Sequence, residues 1–265
     1  MSVRALVTND DGIESDGLRR LAIAAREAGL DVVVAAPLTE ASGSSASIAV
    51  VEVDGRVPVV RRELAGLSGV PAYAVSAPPA FITLIATREA FGPPPDIVLS
   101  GINRGANTGR AVVHSGTVGA ALSAASYGHA ALAVSLDIPG PTGVEATDAH
   151  PQPARHAHWD TAARLAAQLL PLLSDQFALN LNVPNLPPEE VRGLRQGRLA
   201  SFGAVQTSIA EAGEGLVRAE VDEPDAGVEP DTDATLMAAG WACVTPLTPP
   251  READVEPLVL PEIRR

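Results

Sequence analysis

The amino-acid sequence predicts an α/β fold built on a mainly parallel sheet, and three observations support this prediction. The chain opens with an apolar run, a helical repeat and a second apolar run, an order typical of parallel sheets. The same alternation recurs as far as residue 184. Hydrophobic residues make up 46% of the 265 residues, so the chain can bury a sizeable core.

The first three elements are defined by apolar periodicity and by the residues that interrupt it. Residues 3–7 form an apolar run that ends in polar residues, as expected of a buried strand entering a loop. Residues 18–28 repeat small and apolar side chains at helical spacing, with Ser15 as a candidate N-cap and Gly29 as a candidate C-cap. Residues 31–37 predict a second strand that ends at a proline.

Further strands and helices follow in the same alternating order. Apolar runs predict strands over 72–76, 96–99, 130–136, 177–183 and 241–246. Helical spacing predicts helices over 81–89, 115–127, 159–170 and 232–239. The Pro, Gly, Asp and His content of residues 137–157 predicts a long loop.

The regular alternation of apolar runs and helical repeats is interrupted after residue 184. Consecutive prolines at 187–188 and an acidic stretch over 211–233, which we interpret as a solvated face, interrupt the periodicity. We therefore predict an α/β core over residues 1–184. Residues 185–265 form a C-terminal extension that completes the domain or mediates assembly.

Composition excludes several classes of function. The net charge is −13, and all 19 basic residues are arginine, so no P-loop lysine or Schiff-base lysine exists. Eight aromatic residues in an acidic chain do not provide the charged, stacking surface that nucleic-acid binding requires. We expect a small-molecule ligand and no nucleic-acid duplex.

The sequence also predicts a cytoplasmic protein without a membrane partner. The single cysteine, Cys243, cannot form an internal disulfide, which suits a reducing compartment. The N-terminal residues lack the charged and apolar regions of a signal peptide. No continuous apolar run reaches the length of about 18 residues that a membrane span needs.

Polar segments follow three of the predicted strands. They cover residues 9–12, 39–44 and 100–109. In parallel sheets, ligands bind beyond the carboxyl ends of the strands, so these three loops are expected to meet at one crevice.

The chemistry of these loops favours a hard cation next to an anion. Adjacent carboxylates at Asp10 and Asp11 repel each other unless a cation lies beside them, and Ser and Asn supply neutral oxygen ligands. Such a set suits Mg²⁺ or Mn²⁺. The start of the next predicted helix is a natural site for phosphate, and it comprises Ser115, Gly116 and Thr117. This combination is typical of phosphoryl hydrolysis.

Seven short motifs stand out along the chain: Thr-Asn-Asp-Asp-Gly-Ile at 8–13, Ser-Gly at 42–43, Ser-Gly-Ile-Asn at 100–103, Ser-Gly-Thr-Val at 115–118, Asn-Leu-Asn-Val-Pro at 180–184, Thr-Asp at 232–233 and Val-Thr-Pro-Leu at 244–247. In these motifs the sequence resembles the SurE family of metal-dependent 5′/3′-nucleotidases. The motifs occur in order, so the set is specific although each piece alone is not.

The resemblance implies a Rossmann-like three-layer α/β/α fold with a C-terminal arm exchanged in a homodimer or homotetramer. It implies one divalent cation, held by Asp10, Asp11, Ser42 and Asn103. It also implies that Asn107 and Ser115 contact the substrate phosphate. The implied substrates are nucleoside monophosphates, with polyphosphate in some members.

The expected mechanism is metal-assisted hydrolysis, in which either Asp10 or Asp11 takes the proton. His114 directly precedes the predicted anion site and is a candidate donor to the substrate. Arg104 and Arg110 flank the phosphate loop, where they steer an anionic substrate or serve only as surface charges.

Three departures from the family pattern leave a second interpretation open. Residues 76–81 and 110–114 differ from the usual motifs, and an aromatic-rich hairpin expected between 200 and 230 is missing or much reduced. The alternative is therefore a protein of this fold that binds metal and phosphate compounds without significant catalysis.

Two other classes with related folds are excluded. A haloacid-dehalogenase-type phosphatase would place its nucleophile at the position of Asn9 and would need a lysine. A dinucleotide-binding module would need a glycine-rich first turn, where this chain carries two carboxylates.

Overall fold

The structure is a computed structural model, and it describes residues 2–50, 52–138, 157–201, 206–213, 216–222 and 229–254, with 206–213 and 216–222 described by their backbone alone. Most of the loop predicted over 137–157 and part of the acidic stretch over 211–233 therefore lie outside the described residues.

Eleven strands are described. They are β1 Arg4–Thr8, β2 Asp31–Pro37, β3 Val59–Arg62, β4 Ala72–Val75, β5 Ile97–Arg104, β6 Ala130–Asp137, β7 Ala178–Pro184, β8 Leu194–Gln196, β9 Gln206–Gly213, β10 Leu216–Asp222 and β11 Ala242–Leu247. Nine of them form one sheet in the order β3-β4-β2-β1-β5-β6-β7-β11-β8. The β3–β4 and β7–β11 pairs are antiparallel, and the other neighbours in this sheet are parallel, which confirms the predicted class.

Five α-helices are described, together with two 3₁₀ helices over Gly109–His114 and Leu170–Leu172. The α-helices are α1 Asp16–Glu27, α2 Pro79–Ala86, α3 Gly116–Ser126, α4 Trp159–Leu169 and α5 Asp233–Ala238. The apolar faces of α1 and α4 pack with one face of the sheet, and those of α2 and α3 pack with the other. The molecule thus has the three layers of an α/β/α fold.

Local capping follows the sequence closely. Ser15 caps α1 by accepting a hydrogen bond from the Leu18 amide, and Ser115 caps α3 in the same way through the amide of Val118. The C-cap of α1 is Ala28 and not Gly29 as predicted, while Gly29 follows with φ +88°. A glycine adopts this left-handed conformation without steric cost, which explains its position just after the helix.

Several elements differ from the sequence predictions. Strand β5 continues to Arg104, so the first half of the loop predicted over 100–109 is a strand. The short edge strands β3 and β8 were not predicted, because three or four residues are too few to show a period. Their pairing partners determine their conformation.

The expectation that an aromatic-rich hairpin between 200 and 230 is missing or much reduced was wrong for the strands, which are present, and held for the aromatic side chains. Strands β9 and β10 form an antiparallel pair. Gln206 lies opposite Asp222 at one end of the pair, and Gly213 lies opposite Leu216 at the other. The sequence over 206–222 contains no aromatic residue. An antiparallel ladder is formed by backbone hydrogen bonds, so the loss of aromatic side chains did not remove it.

The region after residue 184 contributes directly to the main sheet. Strand β11 pairs with β7, and β8 pairs with β11, so both extend the sheet beyond the predicted core. Among the residues that the structure describes, no helix has the length and apolar composition needed to cross a bilayer.

Candidate functional site

The centre of the candidate site is Asp10, which lies just beyond β1 and is only 4% exposed. The hydroxyl of Thr117, in the first turn of α3, donates a hydrogen bond to Oδ1 of Asp10. The helix approaches so closely that a Cβ atom on Gly116 would lie 2.8 Å from Oδ2 of Asp10. A glycine at 116 is therefore required for this approach.

The second carboxylate, Asp11, faces the end of β5. The backbone amide of Arg104 donates to its Oδ2 at 3.2 Å. Burial, together with repulsion from Asp10, raises the pKa of Asp11 to about 6. Burial also raises the pKa of Asp10, although hydrogen bonds from Thr117 and Gly116 partly offset this effect. The two adjacent carboxylates are thus held together against their electrostatic preference.

The loop after β2 reaches the same point. The amide of Ala41 donates to the backbone carbonyl of Asp10 at 2.7 Å, so Ser42 is one residue away from a direct contact with the aspartate segment. Ser42 is exposed, and its hydroxyl donates to Oε1 of Glu40 at 2.7 Å. The same loop packs on the start of α3, where the Ser45 hydroxyl donates to the carbonyl of Val113 at 2.6 Å.

Asn103 and Arg104 lie at the end of β5, where the Arg104 amide meets Asp11. The side-chain amide of Asn103 donates to the carbonyl of Gly105 at 2.8 Å, which orients its side chain through the nitrogen. The Arg104 side chain is exposed. Three loops that were predicted to converge are therefore connected through the backbone of Asp10, the carboxylate of Asp11 and their hydrogen-bond partners.

Asn107 is held by a network that the sequence analysis did not assign. Its backbone amide donates to Oδ1 of Asn182 at 2.7 Å, and the side-chain amides of Asn180 and Asn182 both donate to its carbonyl at 2.9 Å. Its own side-chain amide donates to the hydroxyl of Ser135 at 2.8 Å. The sequence does contain a signal for this network, because two asparagines alternate with apolar residues in β7, and the whole strand is buried. Buried polar side chains of this kind need hydrogen-bond partners.

The remaining predicted residues lie around the start of α3. Ser115 is 8% exposed, and its hydroxyl is engaged as the cap of the helix. Thr117 was predicted to bind phosphate, whereas in this structure its hydroxyl donates a hydrogen bond to the carboxylate of Asp10. His114 and Arg110 are exposed on the preceding 3₁₀ helix, at the edge of the site.

A buried hydroxyl that the sequence analysis did not single out belongs to the same centre. Ser44 Oγ is buried and has no hydrogen-bond partner among the residues that the structure describes. It lies 2.7 Å from the point where a Cβ of Gly116 would stand, beside Asp10 Oδ2. A buried hydroxyl without a partner is costly, and its position close to the Asp10 carboxylate makes this oxygen a candidate ligand atom.

The donor set that could hold a metal ion consists entirely of oxygen atoms: Asp10, Asp11, Ser42 and Asn103. Within the described ranges, no group of three or more His, Cys, Asp or Glu side chains is arranged to hold a metal. A metal here would therefore depend on neutral oxygens as well as on the two aspartates. The uncompensated pair of carboxylates and the unpaired hydroxyl fit a hard divalent cation and not a soft one.

Comparison with known proteins agrees with this architecture. The family model described as Survival protein SurE matches residues 5–205. The 5′-nucleotidase SurE of Aeromonas hydrophila is 37% identical over 257 residues, which cover 93% of this chain and 92% of that protein. The 5′/3′-nucleotidase SurE of Edwardsiella ictaluri is 34% identical over 255 residues, covering 92% of this chain and 89% of that protein.

A solved structure shows the same likeness in three dimensions. The crystal structure of the SurE protein from Aquifex aeolicus superposes with a TM-score of 0.70 at 25% sequence identity, covering 92% of this chain and 93% of that one. The chain therefore belongs to the SurE family.

Proposed function

We propose that this chain is a divalent-metal-dependent phosphomonoesterase that hydrolyses nucleoside monophosphates to nucleosides and phosphate. The observation that carries the proposal is the position of Asp10 and Asp11, which lie between the start of α3 and the end of β5. A metal held by carboxylates next to the N-terminus of a helix is suited to a phosphate ester. The related proteins are named nucleotidases, which supports nucleoside monophosphates as the proposed substrates.

In this proposal Asp10, Asp11, Ser42 and Asn103 hold one Mg²⁺ or Mn²⁺ ion. When bound, such an ion acts as a Lewis acid on a phosphoryl oxygen and lowers the pKa of water. The chain itself supplies orientation. Thr117 and the start of α3 hold Asp10 in one position, and hydrogen bonds from β7 hold Asn107.

We assign proton transfer to Asp11 and not to Asp10. Asp10 is almost fully buried, and its carboxylate is engaged by Thr117. Asp11 is less buried and accepts one hydrogen bond, from the Arg104 amide. Asn107 and Ser115, with the backbone at Gly116, are the proposed phosphate contacts, and the exposed His114 and Arg104 are the proposed contacts for the rest of an anionic substrate.

The proposal is tested by phosphate release from 5′- and 3′-nucleoside monophosphates and from p-nitrophenyl phosphate, with Mn²⁺, with Mg²⁺ and with EDTA. We expect release that requires a metal and is lost in Asp10→Asn. The matched control is Asp160→Asn, which removes a carboxylate that is 74% exposed on α4 and should leave the rate unchanged.

Two outcomes would contradict the proposal. Release that is unaffected by EDTA would remove the metal from the mechanism. Folded protein that binds Mn²⁺ but releases no phosphate from any substrate would favour the alternative, a member of the family that binds metal and phosphate compounds without catalysis.

A further inference from the structure

The carboxylate of Asp233 connects the C-terminal part of the chain to the candidate site. Asp233 is the first residue of α5 and is 0% exposed. Its Oδ2 accepts a hydrogen bond from the amide of Gly109 at 2.8 Å, and its Oδ1 accepts bonds from Ala200 and Ala234, both at 2.9 Å. We propose that Asp233 is a positioning residue that holds the phosphate-binding segment over 107–115 in place through Gly109.

The segment over 107–115 contains both residues proposed to contact phosphate, Asn107 and Ser115. Asn107 is fixed from β7, where Asn182 bonds both its amide and its carbonyl. Gly109 starts the 3₁₀ helix that leads directly to Ser115. Asn107 is held by β7 and Gly109 by Asp233, so the start of the segment and of its 3₁₀ helix cannot shift without breaking one of these connections.

A purely local role in α5 would not account for both oxygens of Asp233. An acidic residue in the first helical turn commonly bonds amides of its own helix, and the Ala234 bond to Oδ1 is of this kind. The bond to Oδ2 comes from a residue 124 positions earlier in the chain. No salt bridge in the described part of the chain involves Asp233, so its buried charge is stabilised by backbone amides.

The discriminating variant is Asp233→Asn. An asparagine can keep one oxygen acceptor for Ala200 and Ala234, but it then turns its NH₂ group toward the Gly109 amide, where no bond can form. We expect the Gly109 amide to exchange its hydrogen about tenfold faster or more, measured by NMR of the full chain. We also expect the KM for p-nitrophenyl phosphate to rise about tenfold, with kcat changed by less than about twofold.

The matched control is Thr232→Val, which removes the N-cap of the same helix. The Thr232 hydroxyl accepts from the Thr235 amide and donates to the carbonyl of Glu229, and neither bond involves the segment over 107–115. We expect this variant to lower the melting temperature as Asp233→Asn does, with the KM and the exchange of the Gly109 amide unchanged. A rise in KM that is equal in both variants would overturn the proposal, because loss of helix stability would then explain it.

A measurement on the unmodified protein covers the case in which Asp233→Asn does not fold. The Gly109 amide must then be strongly protected in the native chain, with exchange about 100-fold or more slower than in an unstructured peptide. Exchange at the unprotected rate would overturn the proposal. The positioning role in catalysis rests on the proposed function. A chain without phosphatase activity would contradict that function. The exchange of the Gly109 amide would still show whether Asp233 holds the segment.

Discussion

The hydroxyl of Thr117 donates a hydrogen bond to Oδ1 of Asp10, a residue 107 positions earlier in the chain. Both residues are buried, at 0% and 4% exposure, so this bond joins the end of the first strand to the start of α3 inside the protein. The carboxylate that we propose as a metal ligand is thereby fixed in orientation before any ligand binds. Precise placement of such a group is what an active site requires of its surroundings.

We predict that Thr117→Val lowers metal-dependent phosphate release by about 10- to 100-fold and destabilises the protein by about 1–3 kcal/mol, because Asp10 loses a buried hydrogen-bond donor. Turnover assays and urea denaturation measure the two effects. Thr83→Val is the matched control, since Thr83 is equally buried but its hydroxyl has no partner within the described part of the chain. If both variants behaved alike, the Thr117 bond would have no special role.

We predict that Asp11→Asn stabilises the metal-free protein at neutral pH. The pKa of Asp11 is raised to about 6 by burial and by repulsion from Asp10, so the folded state holds this proton more tightly than the unfolded state. The ionised side chain therefore costs stability above the unfolded pKa of 3.8, and the cost grows until the pH passes about 6. The variant should gain about 1–3 kcal/mol at pH 7.5 and little at pH 4.

Thermal denaturation in EDTA at the two pH values measures this difference. Asp160→Asn is again the control, because the carboxylate that it removes is largely exposed. A gain in Asp11→Asn that is the same at pH 4 and at pH 7.5 would show that ionisation of Asp11 is not its cause.

We predict that Mn²⁺ stabilises the unmodified protein and not Asp10→Asn. A ligand that binds only the folded state at 100 times its Kd adds about 2.7 kcal/mol to the free energy of unfolding. Melting temperatures across a Mn²⁺ titration measure the effect without any substrate. A similar rise in both proteins would place the bound metal outside the aspartate pair.

We predict that the single thiol is inert in the native protein. Cys243 is 0% exposed in β11, and burial raises its pKa to about 11, so about one thiol in a thousand is ionised at pH 8. A chromogenic disulfide reagent should not react at pH 8 until urea is added, and alkylation of the folded protein should leave phosphate release unchanged. Rapid labelling under native conditions would contradict the buried environment described for this strand.

The elements predicted correctly are those with a strong local signal. The run over 31–37 and the capped helix that follows Ser15 show clear apolar periods, and the structure places β2 and α1 there. The helix predicted over 115–127 starts at a serine, and the hydroxyl of Ser115 accepts a hydrogen bond from the Val118 amide. Such signals act over about four residues, which is the reach of helical hydrogen bonds and of capping.

The predictions that failed concern a very short strand and a hairpin that lacks the aromatic residues expected of it. Strand β8 contains three residues and exists because β11 offers it a parallel partner. The hairpin of β9 and β10 was judged by its missing aromatic residues, although its ladder depends on backbone groups that every non-proline residue carries. In both cases the sequence does not display the interaction that stabilises the element.

The sequence by itself determined the α/β class, the three polar loops at strand ends and the aspartate pair in the first of them. The class follows from local periods, and the convergence of the loops follows from the common direction of parallel strands. Only the tertiary structure decided that Thr117 bonds Asp10, that Asn182 holds Asn107 and that Asp233 reaches Gly109. These pairs are 75 to 124 residues apart in the chain, and the packing of whole helices and strands brings them within hydrogen-bond distance.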